Sequence, residues 1–223
     1  MEKITIKNLI DFRRKNEKTR ITFVKNLKKE KAPQESSGGD YWISCLSAIA
    51  NGYKYENKDL LEEKIEFLRE KVNFATDKRI KDQFQRNIDI LLNFQDSDFQ
   101  NIRPDSELTF LKQPKMKSII DIRGLHIQSK PSHIFSFSKT DSEEVGGIWF
   151  VAKLKGFKEA ELGMFADIIY RYLKKHYSDD FYVNSKYCIA IDLFNGQKLN
   201  YSEIENNKIP KLIDSTIDEI KGF

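Results

Sequence analysis

The sequence predicts an α/β (α+β) protein with a helical N-terminal region and a mixed central sheet, whose αβββαβ-type core is flanked by helices. Up to about residue 94, apolar residues recur at helical spacing, whereas from residue 107 short segments alternate as strands do. The segment 146–156 is apolar on both faces of a strand, and the helix after it, to about Lys175, is apolar on more than one face. Such a pair is typical of the centre of a layered α/β core.

The composition is that of an ordinary globular protein, with 223 residues, 32% charged and 39% hydrophobic. No apolar run approaches the roughly 18 residues that a membrane helix needs. The first residues lack the apolar core of a secretory signal. We therefore expect a cytoplasmic protein without a membrane partner. Cys45 and Cys188 lie in apolar segments and in no CxxC or Cys/His cluster, which predicts buried, reduced thiols and no zinc site.

The N-terminal elements follow from caps and spacing. Thr5 is expected to cap a first helix, 6 to about 15, and a second amphipathic helix spans 19–29. Residues 32–39 are the clearest linker. Three further helices are predicted: one capped by Asp40 and ended by Asn51-Gly52, one over 57–74, and one from a Thr76 cap to about Phe94.

The C-terminal half is predicted to hold the sheet. The expected strands are 107–112, a long stretch 117–128 bent at Gly124, 133–138 and, after a turn over 138–145, the segment 147–155. Asp167 and Arg171 stand four apart on the helix that follows, which favours an ion pair. A strand over 187–194 precedes Asn195-Gly196, the strongest short hairpin signal, with an antiparallel return over 197–201 and a closing helix over 209–220.

Positive charge is concentrated at the N terminus. Residues 1–31 carry eleven Lys or Arg against four Asp or Glu, a net charge of +7, so the remainder carries −3. A solvated helix face in a lysine-rich protein accounts for this pattern, and so does a surface that contacts nucleic-acid phosphates without reading sequence. The candidate nucleic-acid-binding residues are Arg13, Arg14, Lys15, Arg20, Lys25, Lys28 and Lys29.

From Thr76 onward the order helix, three strands, helix, strand resembles the core of the PD-(D/E)xK nuclease-like superfamily. The motifs Gly38-Gly39-Asp40-Tyr41-Trp42, Pro131, Gly147-Ile148 and Cys188 to Asp192 are similar to those of a family of uncharacterised bacterial proteins with a nuclease-like C-terminal half. The resemblance implies a helical region over 1–100 and a nuclease-like core over 101–223. The first helix of that core, about 76–94, would come from the N-terminal region.

The resemblance also implies an acid at the start of the central hairpin and Asp/Glu-x-Lys on the next strand, which together bind Mg²⁺ and activate water. Here Ser132 and Val151 stand at the two acid positions, and Lys153 alone remains. Neither side chain can replace a charged metal ligand. We therefore interpret the chain as a degenerate, non-catalytic nuclease-like protein without a metal or cofactor. It would bind nucleic acid or a protein partner, in the defence or mobile-element setting that the resemblance suggests.

Two alternatives stay open. In the first, the chain is a Mg²⁺-dependent nuclease with a relocated site, formed by Asp121 on the preceding extended stretch, Glu161 in the next helix and Lys153. In the second, it is an interaction module, such as a homodimer, that uses exposed aromatic residues such as Tyr41 or Trp149. Convergence of the three polar side chains would favour the first alternative, and light scattering would test the second.

Overall fold

A computed structural model describes residues 3–29, 41–97, 99–112, 118–139 and 142–223. Its first half is mainly helical, as the periodicity predicts. The predicted linker over 32–39 and the predicted Asp40 cap lie outside the described residues. The elements before the sheet are β1 (Ile4–Thr5), α1 (Ile6–Arg13), α2 (Glu17–Lys28), α3 (Ile43–Tyr55), α4 (Asp59–Phe74), α5 (Lys78–Gln95) and a 3-10 turn (Phe99–Ile102).

The second half holds most of the strands and three further helices. In chain order these are β2 (Thr109–Leu111), β3 (Ile119–Ile122), β4 (Leu125–Gln128), β5 (His133–Lys139), β6 (Ser142–Val151), α6 (Glu159–His176), β7 (Tyr182–Asp192), β8 (Gln197–Asn200), α7 (Tyr201–Glu205) and α8 (Ile213–Lys221). The described strands form two sheets, one of order β2-β5-β6-β7-β8 and one of order β1-β4-β3. In the larger sheet β6 and β7 are parallel and the other pairs are antiparallel.

The larger sheet lies between two helical layers because its central strands are apolar on both faces. Phe135, Phe150 and Ile191 face the core shared with α3, α4 and α5. Ile134, Val151 and Ala190 face the core shared with α1, α6, α7 and α8. Helix α6 connects the parallel strands β6 and β7, so α5, β2, β5, β6, α6 and β7 form the predicted αβββαβ-type core.

The N terminus of the chain packs on the C-terminal half. Strand β1 pairs in parallel with β4, with Ile4 opposite Ile127. Four residues of α1 (Ile6, Leu9, Ile10 and Phe12) are buried in the same core as α6 and α8. Helix α1 therefore completes one face of the sheet, whereas α3, α4 and α5 complete the other.

Several boundary predictions are wrong for identifiable reasons. Gly52 does not end α3, which continues to Tyr55; a Cβ on Gly52 would lie 2.5 Å from Leu61 Cδ1, so this glycine allows α3 and α4 to approach closely. Asp77, not Thr76, caps α5, accepting hydrogen bonds from Arg79 N and Ile80 N. The predicted turn over 138–145 is mostly strand, because β5 extends to Lys139 and β6 begins at Ser142.

The segment predicted as one bent strand is instead a hairpin. Arg123 and Gly124 both have positive φ, 51° and 79°, the two-residue turn that matches the twist of antiparallel strands. Strands β3 and β4 then pair with each other and with β1 rather than with the larger sheet. The sequence analysis also missed α7, whose capping box joins Asn200 and Glu203.

Other local predictions are confirmed. Thr5 caps α1 in a reciprocal box with Asn8, and β8 returns antiparallel to β7 after Asn195-Gly196. Both cysteines are free and buried. Among the described helices, none is long and apolar enough to span a membrane.

Candidate functional site

Asp121, the first predicted catalytic residue, lies on β3 in the smaller sheet. Its Oδ1 accepts a hydrogen bond of 3.1 Å from Gly124 N, and its Oδ2 lies 3.4 Å from His126 Nδ1. Both side chains are about half exposed. These contacts stabilise the β3–β4 turn, and they give Asp121 a structural role.

Glu161, the second predicted residue, lies in the first turn of α6 and is buried. Its Oε2 accepts from Lys158 N at 2.8 Å, which caps the helix. Arg14 Nε donates to its Oε1 at 2.7 Å, and Arg14 Nη2 donates to its Oε2 at 2.5 Å. Arg14 Nη2 also lies 3.3 Å from Gly156 O. This carboxylate is therefore the anchor of α1 on the β6–α6 connection.

Lys153, the third predicted residue, forms an ion pair with a residue of α1. Its Nζ donates to Asp11 Oδ1 at 2.7 Å. Helix α1 thus supplies a carboxylate to Lys153 and a guanidinium to Glu161, whereas Asp121 binds within the β3–β4 hairpin. Among the described residues, no group of three or more His, Cys, Asp or Glu could hold a metal ion.

The two positions where the resemblance implies acids have structural roles. Ser132 Oγ accepts a hydrogen bond of 3.0 Å from Phe150 N, which links the start of β5 to β6. Val151 is buried in the core on the α6 face of the sheet. A carboxylate at Val151 would have to lose its hydration among apolar neighbours, so the fold at this point favours packing over metal binding.

The arginines among the seven predicted nucleic-acid-binding residues have partners within the molecule. Arg13 Nη1 donates to Thr216 Oγ1 at 3.1 Å, and Arg20 Nη1 donates to Glu219 Oε2 at 2.8 Å. The Arg20 guanidinium also lies 4.8 Å from the centre of the Phe12 ring. Together with Arg14, these side chains join α1 and α2 to α6 and α8, so these three of the eleven basic residues over 1–31 make contacts within the molecule.

The lysines among those residues are differently placed. Lys15 Nζ lies 5.2 Å from the centre of the Phe23 ring and is half-buried. Lys25, Lys28 and Lys29 are exposed at the C-terminal end of α2. The sequence analysis missed Lys18, which is also exposed and precedes Lys25 by seven residues and Lys29 by eleven. These separations are about two and about three helical turns, so Lys18 and Lys25 share one face of α2 and Lys29, the residue directly after the helix, continues that line.

We call Lys18, Lys25 and Lys29 the lysine face of α2. The only acid of this helix, Glu17, lies about 100° around the axis from Lys18. The seven- and eleven-residue spacing was visible in the sequence and could have identified Lys18. The pairing of Arg13 and Arg20 with α8 could not, because Arg20 and Glu219 are 199 residues apart.

The aromatic residues considered for a homodimer are partly buried. The Tyr41 hydroxyl accepts a hydrogen bond of 2.9 Å from Arg86 Nη1, and the Trp149 ring packs edge-on against Phe165 at 5.2 Å between centres. Each side chain is thus already engaged in the monomer. Phe74 is a more exposed aromatic residue than either of them, with 84% of its surface accessible.

The Arg14–Glu161 pair sets the protonation of a buried carboxyl. Burial alone would raise the pKa of Glu161, but the hydrogen bonds from Arg14 and from Lys158 N outweigh it and hold the pKa below its ordinary value of 4.5. A group with a lowered pKa stabilises the fold above its ordinary value, and this contribution is lost as the pH falls through the pKa of the folded state.

Replacing Arg14 by glutamine is therefore expected to cost about 1–2 kcal/mol of unfolding free energy at pH 7. The difference from the parent protein should shrink as the pH falls toward the lowered pKa of Glu161 in the parent, because Glu161 takes up a proton first in the variant, which lacks the Arg14 hydrogen bonds. Urea denaturation at pH 7, 5 and 3.5 measures it. Arg69→Gln is the control, since Arg69 pairs with Glu66 on the surface. A deficit that does not change with pH would mean that Arg14 acts through packing alone.

Comparisons with protein-family models, with curated proteins and with solved structures give no significant match.

Proposed function

We propose that this chain is a non-catalytic nucleic-acid-binding protein whose lysine face of α2 contacts the phosphate backbone. The observation that carries the proposal is the division of charge in the N-terminal segment. Arg13, Arg14 and Arg20 are paired within the molecule, whereas Lys18, Lys25 and Lys29 extend into solvent from one side of a helix.

The spacing of the lysine face suits a phosphate backbone. With a rise of 1.5 Å per residue, Lys18 and Lys25 are about 10.5 Å apart along the helix axis, and Lys25 and Lys29 about 6 Å. Long, flexible ammonium side chains can reach neighbouring phosphates from such positions. Contacts of this kind fix the protein on the duplex without reading its sequence.

The remainder of the fold supports binding rather than cleavage. A metal-dependent nuclease needs carboxylates that converge on the metal ion. Here Asp121 and Glu161 bind to different partners, and Lys153 is paired with Asp11. The αβββαβ-type core then serves as a platform that holds α1, and the contacts of Arg20 with Phe12 and Glu219 hold α2 against α1 and α8.

Charge reversal of the lysine face is the test. Lys18→Glu/Lys25→Glu/Lys29→Glu is expected to weaken binding to a short DNA or RNA duplex by more than about tenfold near 50 mM salt. It should also reduce the slope of log K against log salt by up to about 3, because each lost phosphate contact removes about 0.9. Fluorescence anisotropy at salt concentrations from about 50 to 200 mM measures both quantities.

A matched control separates local contacts from net charge. Lys81 in α5, Lys175 in α6 and Lys208 between α7 and α8 are exposed, and reversing these three changes the net charge by the same amount. This control variant should keep most of the affinity and the slope. The proposal would be contradicted if the parent protein fails to bind duplex at low salt, or if both triple variants lose affinity equally.

A further inference from the structure

A pocket of about 220 Å³ lies at the carboxyl end of β6, where the two sheets meet. Five other elements contribute to its wall: β1, α1, α3, the end of β4 and α6. The pocket is smaller than the roughly 300–1,000 Å³ of sites for drug-sized ligands, so its volume suits a ligand with a single ring.

The inner wall is mainly apolar. Trp149 and Phe165 meet edge to face, with ring centres 5.2 Å apart and planes at 77°. Leu46, Val151 and Ala152 line the same space. Trp149 is half-buried, so part of the indole remains accessible from the pocket side of the sheet. A flat ring would gain both apolar burial and an aromatic contact here.

The polar part of the wall is positive. Lys7 and Lys130 are exposed, Gln128 and Thr5 add uncharged polar groups, and none of the described residues that line the pocket is acidic. Lys7 already takes part in another interaction. Lys130 is therefore the lysine assigned to contact the ligand. The Thr5 hydroxyl already accepts a hydrogen bond from Asn8 N in the capping box of α1. The charged groups that the described lining offers to a ligand are therefore lysine ammonium groups. An apolar slot beside ammonium groups complements an organic anion.

We propose that this pocket binds a small organic anion with one flat ring. The ring would lie against Trp149 and Phe165, and its carboxylate or phosphate would lie toward Lys130. The site is separate from the lysine face of α2 and goes beyond nucleic-acid binding. The same chemistry is found in an aromatic carboxylate and in an aromatic phosphate ester, so both are used as probes.

The test follows the indole N–H resonances of the only two tryptophans, Trp42 and Trp149, which the Trp149→Phe variant assigns. Benzoate and phenyl phosphate, titrated at constant ionic strength, should shift the Trp149 resonance in a saturable way and leave Trp42 nearly unchanged. Benzamide and phenol, the uncharged counterparts, should bind at least about tenfold more weakly, because they lack the charge that contacts lysine. The anion that binds with the higher affinity identifies the class of ligand, carboxylate or phosphate ester.

Lys130→Met should weaken the binding of the preferred anion by about tenfold. Lys175→Met, at an exposed lysine of α6, should leave this affinity unchanged. Calorimetric titration of the same proteins checks the affinities independently of the tryptophan signal. The proposal is overturned if neither anion shifts Trp149 at millimolar concentration, if the neutral counterparts bind equally well, or if Lys130→Met and Lys175→Met behave alike.

Discussion

Replacing Arg171 by leucine is expected to lower the free energy of unfolding by about 3–5 kcal/mol. Arg171 Nε donates to Asp167 Oδ1 at 2.8 Å, and its two terminal nitrogens donate to Asp214 at 3.0 and 2.7 Å. Asp167 is only 1% exposed. The cost is large because the variant leaves this carboxylate buried without its cation. Urea or guanidinium denaturation at pH 7 measures it.

The pH dependence identifies the cause. Burial raises the pKa of Asp167, and the hydrogen bonds and charge of Arg171 oppose this rise. Without Arg171 the pKa of Asp167 should rise further, and a raised carboxyl pKa stabilises the fold as the pH falls through it. The deficit of Arg171→Leu should therefore shrink in acid, and Asp167→Leu/Arg171→Leu should be less destabilised than Arg171→Leu.

The surface pair Arg69–Glu66 supplies the control for this prediction. Both of its side chains are more than half exposed, so Arg69→Leu should cost less than about 1 kcal/mol. If Arg171→Leu costs no more than this control, the network that joins α6 to α8 contributes little to stability. Asp214 also lies 3.3 Å from Arg123, so the same network reaches the β3–β4 turn.

Replacing Asp192 by alanine is expected to cost about 2–4 kcal/mol. This fully buried carboxylate is the last residue of β7, and it joins the β6–α6 connection to the β7–β8 turn. Its Oδ2 accepts from Phe157 N at 2.8 Å and its Oδ1 from Phe194 N at 3.0 Å. Alanine would leave both backbone donors without an acceptor. Thermal or denaturant unfolding measures the loss.

Gly156, in the β6–α6 connection, allows the backbone to approach Asp192 and Asn195 closely. Its φ is +66°, and a Cβ there would lie 2.0 Å from Asn195 Nδ2 and 2.5 Å from Asp192 Oδ2. Asp192→Asn should also destabilise the protein, because its amide nitrogen would face donors. Asp179→Ala, at an exposed aspartate, is the control and should be nearly neutral. A fold equally stable in Asp192→Ala and Asp179→Ala would contradict this account.

The sequence predicted elements whose signals are local. Helix α6 was predicted from its apolar stripes, its Asp167–Arg171 pair from their spacing, and the β7–β8 hairpin from Asn195-Gly196. Gly52 was misread because a glycine that ends a helix and one that permits close helix packing look alike in one sequence. Only the neighbouring Leu61 distinguishes them.

The residues of the candidate sites were likewise predictable only where their signal is local in the sequence. The lysine face of α2 has a helical period, so part of it was predicted and Lys18 could have been. The ion pairs of Lys153 and Glu161 had no local signal in the sequence, because their partners Asp11 and Arg14 lie 142 and 147 residues away.

By itself, the sequence determined the class of the fold, the order of most of its elements and the excess of positive charge near its N terminus, because each follows from periodicity or composition. Only the tertiary structure decided which charges remain available for a partner. Docking of α1 and α2 on α6 and α8 uses Arg13, Arg14 and Arg20 and leaves the lysine face of α2 in solvent. Packing also made the residues around Val151 part of the wall of a pocket, since residues of six elements, from β1 to α6, meet there.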